Sequence, residues 1–114
     1  MGQKERDQVT NRILAYCRET PGIWAVKIHA DGTQGVGLPD IVGCCGGLFW
    51  ACECKTPTGR TTKLQRHTLD LIKKSGGLAI VARSLDEFKE ALYDNDNRRK
   101  TEEGAGRAED PPGP

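Results

Sequence analysis

The stretch from Glu53 to Gln65, ECKTPTGRTTKLQ, places an acid and a base two residues apart at the end of an apolar segment. Side chains alternate between the two faces of a strand, so Glu53 and Lys55 project to the same face. Asp40 lies thirteen residues before Glu53, across a Gly-Gly turn signal at positions 46–47. Antiparallel pairing of the two segments therefore brings the carboxylates of Asp40 and Glu53 to cross-strand distance.

Two carboxylates at that distance repel each other unless a cation holds both or one of them takes up a proton. A hard divalent ion suits oxygen ligands, and Mg²⁺ bound in this way keeps waters and adds phosphate oxygens. Lys55 can then orient or help to deprotonate a water and stabilise charge on a phosphate. The chemistry that these residue types suit is phosphodiester hydrolysis by a metal-activated water. An ordinary cross-strand ion pair is the simpler explanation when the three residues are taken alone.

The elements that must position these residues follow from hydrophobic periodicity and from turn signals. Their predicted bounds are, in chain order, helix 4–19, strand 23–29, strand 38–45, strand 48–55, helix 62–75, strand 78–82 and a short helix from 84 to about 93. The apolar stripe of the second helix comprises Leu64, Thr68, Leu71 and Ile72. The order α-β-β-β-α-β-α predicts an α/β fold with a mixed central sheet flanked by helices on both faces.

The chain has 114 residues, which is the size of one domain with a modest core. Residues 94–114 contain no large apolar side chain, and we expect a disordered, charged, Gly/Pro-rich tail after a domain at 1–93. The tail carries four Lys/Arg against six Asp/Glu, which leaves thirteen against ten in residues 1–93. A mildly basic body is compatible with a polyanionic partner.

The segment GLPD at 37–40, followed by ECKTPTGRTTKLQ, resembles the PD-(D/E)xK nuclease superfamily and, more narrowly, the virus-type replication-repair nuclease (VRR-NUC) domain. The matching positions are Gly37, Pro39, Asp40, Glu53, Lys55, Pro57, Gly59, Thr62 and Gln65. The resemblance covers roughly residues 5–88, and it implies a restriction-endonuclease-like fold.

The resemblance also implies roles for particular residues. The implied ligands of Mg²⁺ or Mn²⁺ are Asp40, Glu53 and the main-chain carbonyl of Cys54. Lys55 would be the catalytic lysine, and Gln65 the helix glutamine that reaches toward it or toward the phosphate. The family places a further acid on the first helix, for which Glu5 is the candidate and Asp7 the alternative.

The implied activity is that of a structure-selective endonuclease acting on branched DNA such as Holliday junctions, in DNA repair or in a phage. Symmetric cutting of two strands calls for two sites related by a two-fold axis, and we therefore expect a homodimer. Positive charge for tracking phosphates is expected around the site. The candidate DNA contacts are Lys27, His29, Arg60, Lys63 and Arg66, each of which is otherwise an ordinary solvated residue.

Five cysteines without a secretory signal predict free thiols in a reducing cytoplasm. Cys44-Cys45 and Cys52-x-Cys54 raise the alternative of a zinc-stabilised interaction domain, but structural zinc sites prefer knuckles of two to four intervening residues. We expect buried thiols beneath the sheet instead. A DNA-binding module that keeps the fold without cutting is a second alternative. The glycine-rich loop at 32–37 lacks the ending of a P-loop, so no nucleotide cofactor is expected.

Overall fold

A computed structural model gives the fold of residues 2–29 and 37–104, with side chains described for 3–29 and 37–94. Seven elements follow one another along the chain. They are α1 (Gly2–Glu19), β1 (Ile23–Lys27), β2 (Ile41–Cys45), β3 (Leu48–Cys54), α2 (Lys63–Lys74), β4 (Leu78–Ala82) and α3 (Leu85–Gly104). The predicted order and the predicted mixed α/β architecture are confirmed. In the part of the chain described, no helix combines the length and apolarity needed to cross a bilayer.

The four strands form one sheet in the order β1-β2-β3-β4. The first three are antiparallel neighbours, and β4 joins β3 in parallel after the crossover through α2. Residues 46 and 47 form the turn between β2 and β3 and set a register in which Ile41 faces Cys52. This register fixes which side chains share a face along the whole hairpin.

The two faces of the sheet are covered unequally. On one face, α1 and α3 enclose the core, in which Trp50 packs edge-on against Phe88 at a ring distance of 5.0 Å. On the other face, α2 packs over β3 and β4. Ile13 and Cys17 of α1 are completely buried in the core, because they lie one helical turn apart on the inward side. Trp50 faces this core, and side chains alternate along β3. Glu53, three residues later, therefore projects to the opposite face, which carries α2.

Helix α2 lies one residue inside the predicted bounds at each end, because Thr62 is its N-cap and Ser75 its C-cap. Its predicted apolar stripe is only partly correct. Leu69 is the buried residue of the helix, whereas Leu64 and Leu71 are exposed. The periodicity had correctly marked an apolar side of the helix, but that side faces away from the chain's own core.

Ser84 caps the start of helix α3 as predicted, since its Oγ accepts a hydrogen bond from Glu87 N at 3.1 Å. The reciprocal bond of the predicted capping box is displaced by one residue, because Glu87 Oε1 accepts from Arg83 N at 2.8 Å. The end of α3 was predicted near Tyr93, and the helix instead continues to Gly104. Residues 94–103 hold no proline or glycine and several good helix formers, so helix propensity favours continuation of the helix through them. The division between a domain at 1–93 and a tail stays a prediction, and residues 105–114 lie outside those described.

The cysteines are all free thiols. Burial beneath the sheet was expected, and it holds for Cys52 and Cys54, which project into the core. It is wrong for Cys44, which is exposed because alternation turns its side chain to the opposite face from Cys45. The four thiols of the two strands therefore do not converge.

Gly43 offers a test of the core packing. A Cβ built at this position would overlap the Trp24 carbonyl oxygen and the Trp50 ring, both of which the fold holds in place. We expect Gly43→Ala to lower the free energy of unfolding by about 2 kcal/mol or more, measured by urea denaturation. Arg12→Ala, on the exposed side of α1, serves as the control and should change it by less than about 0.5 kcal/mol. Equal effects of the two substitutions would contradict the packing described.

Candidate active site

Asp40 lies immediately before β2, at the position that continues the hairpin register opposite Glu53. Its main-chain N–H donates to Cys52 O at 3.1 Å, and its Oδ2 accepts from Cys54 N at 2.8 Å. The carboxylate of Asp40 is therefore held against β3 by the backbone of both strands. The structure brings the two acids together as the sequence predicted.

The approach to Asp40 depends on the residues before it. Gly37 has a positive φ of 86°, and a Cβ there would lie 3.0 Å from the Leu64 carbonyl oxygen. Only glycine combines that backbone conformation with so close a contact to the first turn of α2. Pro39 is buried next to it. The Gly-x-Pro-Asp segment thus contacts α2 through Gly37 and the sheet through Asp40.

Glu53 is almost completely buried, with 1% of its surface exposed. Its Oε1 accepts a hydrogen bond from Gln65 Nε2 at 3.2 Å and lies 3.7 Å from Lys55 Nζ. Its Oε2 is buried and accepts no hydrogen bond from any described group. Burial and the negative charge of Asp40 raise the pKa of Glu53 to about 8. A buried carboxylate oxygen without a hydrogen-bond partner is stabilised by binding a proton or a cation.

Lys55 and Gln65 complete the group. Lys55 follows the last residue of β3, and its main-chain N–H donates to Ala82 O at 3.0 Å, which holds the strand end against β4. Its side chain is buried, and Nζ donates to Gln65 Oε1 at 2.8 Å. The Gln65 carboxamide therefore bridges Lys55 and Glu53, one through its oxygen and the other through its nitrogen.

The two acids of the first helix that are candidates for the metal are Glu5 and Asp7. Glu5 is exposed, and Asp7 accepts a hydrogen bond from Gln3 Nε2 at 2.9 Å. Among the described residues, no cluster of three or more Asp, Glu, His or Cys side chains suited to a metal forms, so neither acid joins the pair. Metal binding by an acid of the first helix stays a prediction, and so does metal binding by the main-chain carbonyl of Cys54.

Arg6 is the residue that the sequence argument missed. It lines a small cavity of about 190 Å³ together with Lys55, Thr56 and Arg60. The signal was present in the sequence, because Arg6 lies one turn before Thr10 and two turns before Ile13 on the buried side of α1. The loop that carries Arg60 is fixed by Arg83, which donates to Gly59 O at 2.9 Å. Two arginines thus stand beside the lysine.

The other predicted DNA contacts lie at two further places. Lys63 and Arg66 line a separate depression between α2 and β4, together with His67. Lys27 ends β1 on the face of the sheet that carries the core, opposite to Glu53, and His29 is exposed just beyond it. Their contact with DNA stays a prediction.

The donor set fits a divalent cation. Two carboxylates face each other across neighbouring strands, one oxygen is buried without a hydrogen-bond partner in the described chain, and the pKa of Glu53 is raised. Oxygen ligands of this kind are those that Mg²⁺ and Mn²⁺ take in proteins. A raised pKa is also what two neighbouring carboxylates produce without a cation, because their repulsion favours protonation of one of them.

A mixed sheet of this topology, with an acid before β2 and an acid and a lysine at the end of β3, defines a restriction-endonuclease-like nuclease fold of the PD-(D/E)xK class. A family model described as archaeal Holliday junction resolvase (Hjc) matches residues 3–111, and the chain belongs to this family. A solved structure titled "VRR_NUC domain protein" is similar in fold, with a TM-score of 0.61, 16% identity, and coverage of 77% of this chain and 84% of that one. The predicted VRR-NUC-type nuclease domain is confirmed. A comparison with curated proteins finds no match.

The raised pKa of Glu53 makes a prediction about stability without metal. The folded state keeps the proton up to a pH of about 8, whereas the unfolded chain releases it above about 4.5. The free energy of unfolding in a chelating buffer should therefore fall between those pH values, by up to about 5 kcal/mol at about 1.4 kcal/mol per pH unit. Urea denaturation across this range measures it.

Glu53→Gln is the matched variant for that measurement. It keeps the size of the side chain and removes its titration, so the pH dependence should become flatter and the variant should be the more stable protein at pH 8. Parallel pH profiles of the two proteins would show that Glu53 ionises normally in the folded chain.

Proposed function

We propose that the protein is a metal-dependent endonuclease that hydrolyses phosphodiester bonds in DNA. The observation that carries this proposal is the convergence of Asp40, Glu53 and Lys55, with one buried carboxylate oxygen of Glu53 left without a partner among the described groups. Membership of a Holliday junction resolvase family supports DNA as the substrate.

Asp40, Glu53 and the main-chain carbonyl of Cys54 would hold Mg²⁺ or Mn²⁺. When bound, such an ion supplies a water of lowered pKa and neutralises charge on the phosphate. The protein's own contribution is to hold both carboxylates rigidly. Cys54 N fixes Asp40 from one side, and Gln65 fixes Glu53 from the other, at 2.8 and 3.2 Å respectively.

Lys55 supplies the positive charge beside the scissile phosphate. An ammonium group has three N–H donors, and Gln65 Oε1 takes one of them at 2.8 Å. The remaining donors can orient the attacking water and stabilise the charge that develops on the phosphate. Burial of the Lys55 side chain keeps this charge from being screened by solvent.

The arginines around the site suit the backbone of the substrate. Arg6 and Arg60 share one cavity with Lys55, where a phosphate next to the one being cut would meet them. Lys63 and Arg66 extend the positive charge over α2, and Lys27 and His29 lie at the end of β1. These contacts would position the DNA without reading its sequence.

We further propose branched DNA, such as a four-way junction, as the preferred substrate and a homodimer as the active unit. The proposed substrate rests on the family to which the chain belongs, and the proposed homodimer rests on symmetry. A junction offers two equivalent strands, and a two-fold dimer offers two equivalent sites.

The test is cleavage of labelled four-way, flap and plain duplex DNA with Mg²⁺, Mn²⁺ or EDTA. We expect junction cleavage that needs metal and that falls by about 100-fold or more in Asp40→Asn and Lys55→Ala. Lys74→Ala, at the far end of α2, is the charge-matched control and should cleave as the wild type does.

Cleavage in EDTA, or at an undiminished rate by Lys55→Ala, would contradict the mechanism. Binding of the junction without cleavage under either metal would favour the non-cutting DNA-binding module instead. Stoichiometric zinc in the purified chain, with unfolding on chelation, would favour the zinc-stabilised domain.

A further inference from the structure

Strand β4 is the last strand of the sheet, and it pairs on one side only, with β3. Lys55 N donates to Ala82 O at 3.0 Å, so the main-chain groups of Ala82 turn toward β3. Because these groups alternate in direction along a strand, the N–H and C=O of Ala79 and Val81 turn outward. Within residues 2–29 and 37–104, no strand pairs with this outer edge. The edge therefore offers main-chain donors and acceptors to an added segment.

The sequence of β4 does not oppose such pairing. The strand reads Leu-Ala-Ile-Val-Ala, without a proline or a charged side chain. Its register with β3 runs unbroken from Leu78 to Ala82. Proline, charge and bulges are the devices by which sheets protect their edges from added strands. An edge strand that lacks all three is a template for a further strand.

The outer edge of β4 lies between two helices whose facing sides carry opposite charges. Val81 lines one depression of about 570 Å³ on the side of α2 and another of about 760 Å³ on the side of α3. The charged side chains of the first depression are Lys63, Arg66, Asp70 and Lys73. Among the described residues of the second, the charged ones are Glu87, Glu90 and Asp94. We call the two depressions, with the edge of β4 between them, the edge groove.

The charged residues of the edge groove form a row on each helix. Positions 63, 66, 70 and 73 recur every three or four residues and so share one side of α2, and positions 87, 90 and 94 do the same on α3. The row on α2 is about 15 Å long and the row on α3 about 10 Å, against roughly 16 Å for a strand of five residues. The two rows therefore flank most of the length of β4.

These charges select the kind of occupant. A nucleic acid is negative along its whole length, so the acidic row on α3 would repel it. A peptide of one charge would likewise be attracted by one row and repelled by the other. Side chains of an added strand point alternately toward α2 and toward α3. Acidic residues facing α2 and basic residues facing α3 satisfy both rows at once.

We propose that the edge groove binds an extended segment of a partner protein in which acidic and basic side chains alternate. The segment adds a fifth strand to the sheet, with its main chain hydrogen-bonded to Ala79 and Val81. Its acids lie toward Lys73 and the other cations of α2, and its bases lie toward Glu90 and the other acids of α3. The proposal goes beyond the nuclease function and does not rest on it.

Fluorescence anisotropy of a labelled eight-residue peptide, in which Glu and Lys alternate, tests the proposal. We expect saturable binding to the full chain with a Kd below about 1 mM. The control peptide has the same composition arranged as Glu-Glu-Lys-Lys repeats, which cannot place one charge on each face of a strand. It should bind at least about tenfold more weakly.

Reversal of single charges tests the two rows separately. Lys73→Glu and Glu90→Lys should each weaken binding of the alternating peptide by about tenfold, because each replaces an attraction by a repulsion. Lys74→Glu makes the same change at the next residue of α2, outside the edge groove, and should bind as the wild type does. All three side chains are exposed, so the fold is kept. Lys63 and Arg66 stay intact because they also belong to the proposed DNA surface.

Amide hydrogen exchange followed by NMR tests whether the strand edge itself holds the peptide. In the free chain, the outward N–H groups of Ala79 and Val81 should exchange at least about tenfold faster than those of Ile80 and Ala82, which turn toward β3. Saturating alternating peptide should slow the first pair to the rate of the second.

Absent binding, equal affinities for the two peptides, or equal effects of Lys73→Glu and Lys74→Glu would overturn the proposal. Slow exchange at Ala79 and Val81 in the free chain would also overturn it, because the chain itself would then cover the edge. Protection of these amides by a four-way DNA junction but not by the peptide would overturn it in favour of DNA. An inactive protein that binds the peptide as expected would contradict only the proposed nuclease function.

Discussion

The structure depends on two carboxylates that adjacent strands hold side by side in a buried place. Asp40 is fixed by the N–H of Cys54, and Glu53 by Gln65, so neither can move away from the other. Lys55 offsets part of the repulsion at 3.7 Å, yet one oxygen of Glu53 stays buried without a hydrogen bond from the described chain. Folding thus builds an unfavourable arrangement of charge that a proton or a divalent cation relieves.

The rest of the fold secures this arrangement. A shift of one residue in the pairing of β2 with β3 would turn Glu53 into the core and Cys52 or Cys54 toward α2. Parallel pairing with β4 holds the end of β3, where Lys55 N meets Ala82 O at 3.0 Å. The cap of α2 then places Gln65 over the acid and the lysine. The strand register thus positions Glu53, the pairing of β3 with β4 positions Lys55, and the start of α2 positions Gln65.

Much of this could be predicted from the sequence, because alternation and turn residues determine the face and the register of a hairpin. That reasoning placed Asp40 opposite Glu53 and found both ends of α2. It could not tell that Leu64 and Leu71 face solvent, since periodicity marks an apolar side but not what covers it. Arg6 could have been found, because it lies one helical turn before Thr10 on the buried side of α1. The unpartnered oxygen of Glu53 exists only in the folded chain.

The central claim is that Asp40 and Glu53 together hold one divalent cation. Calorimetric titration of the metal-free chain with Mn²⁺ in the absence of DNA tests it most directly. Saturable binding should weaken by more than about 100-fold in both Asp40→Asn and Glu53→Gln, while Glu87→Gln, at the cap of α3, should bind as the wild type does. If either site variant binds Mn²⁺ as tightly as the wild type, the two carboxylates do not share an ion and the account is wrong.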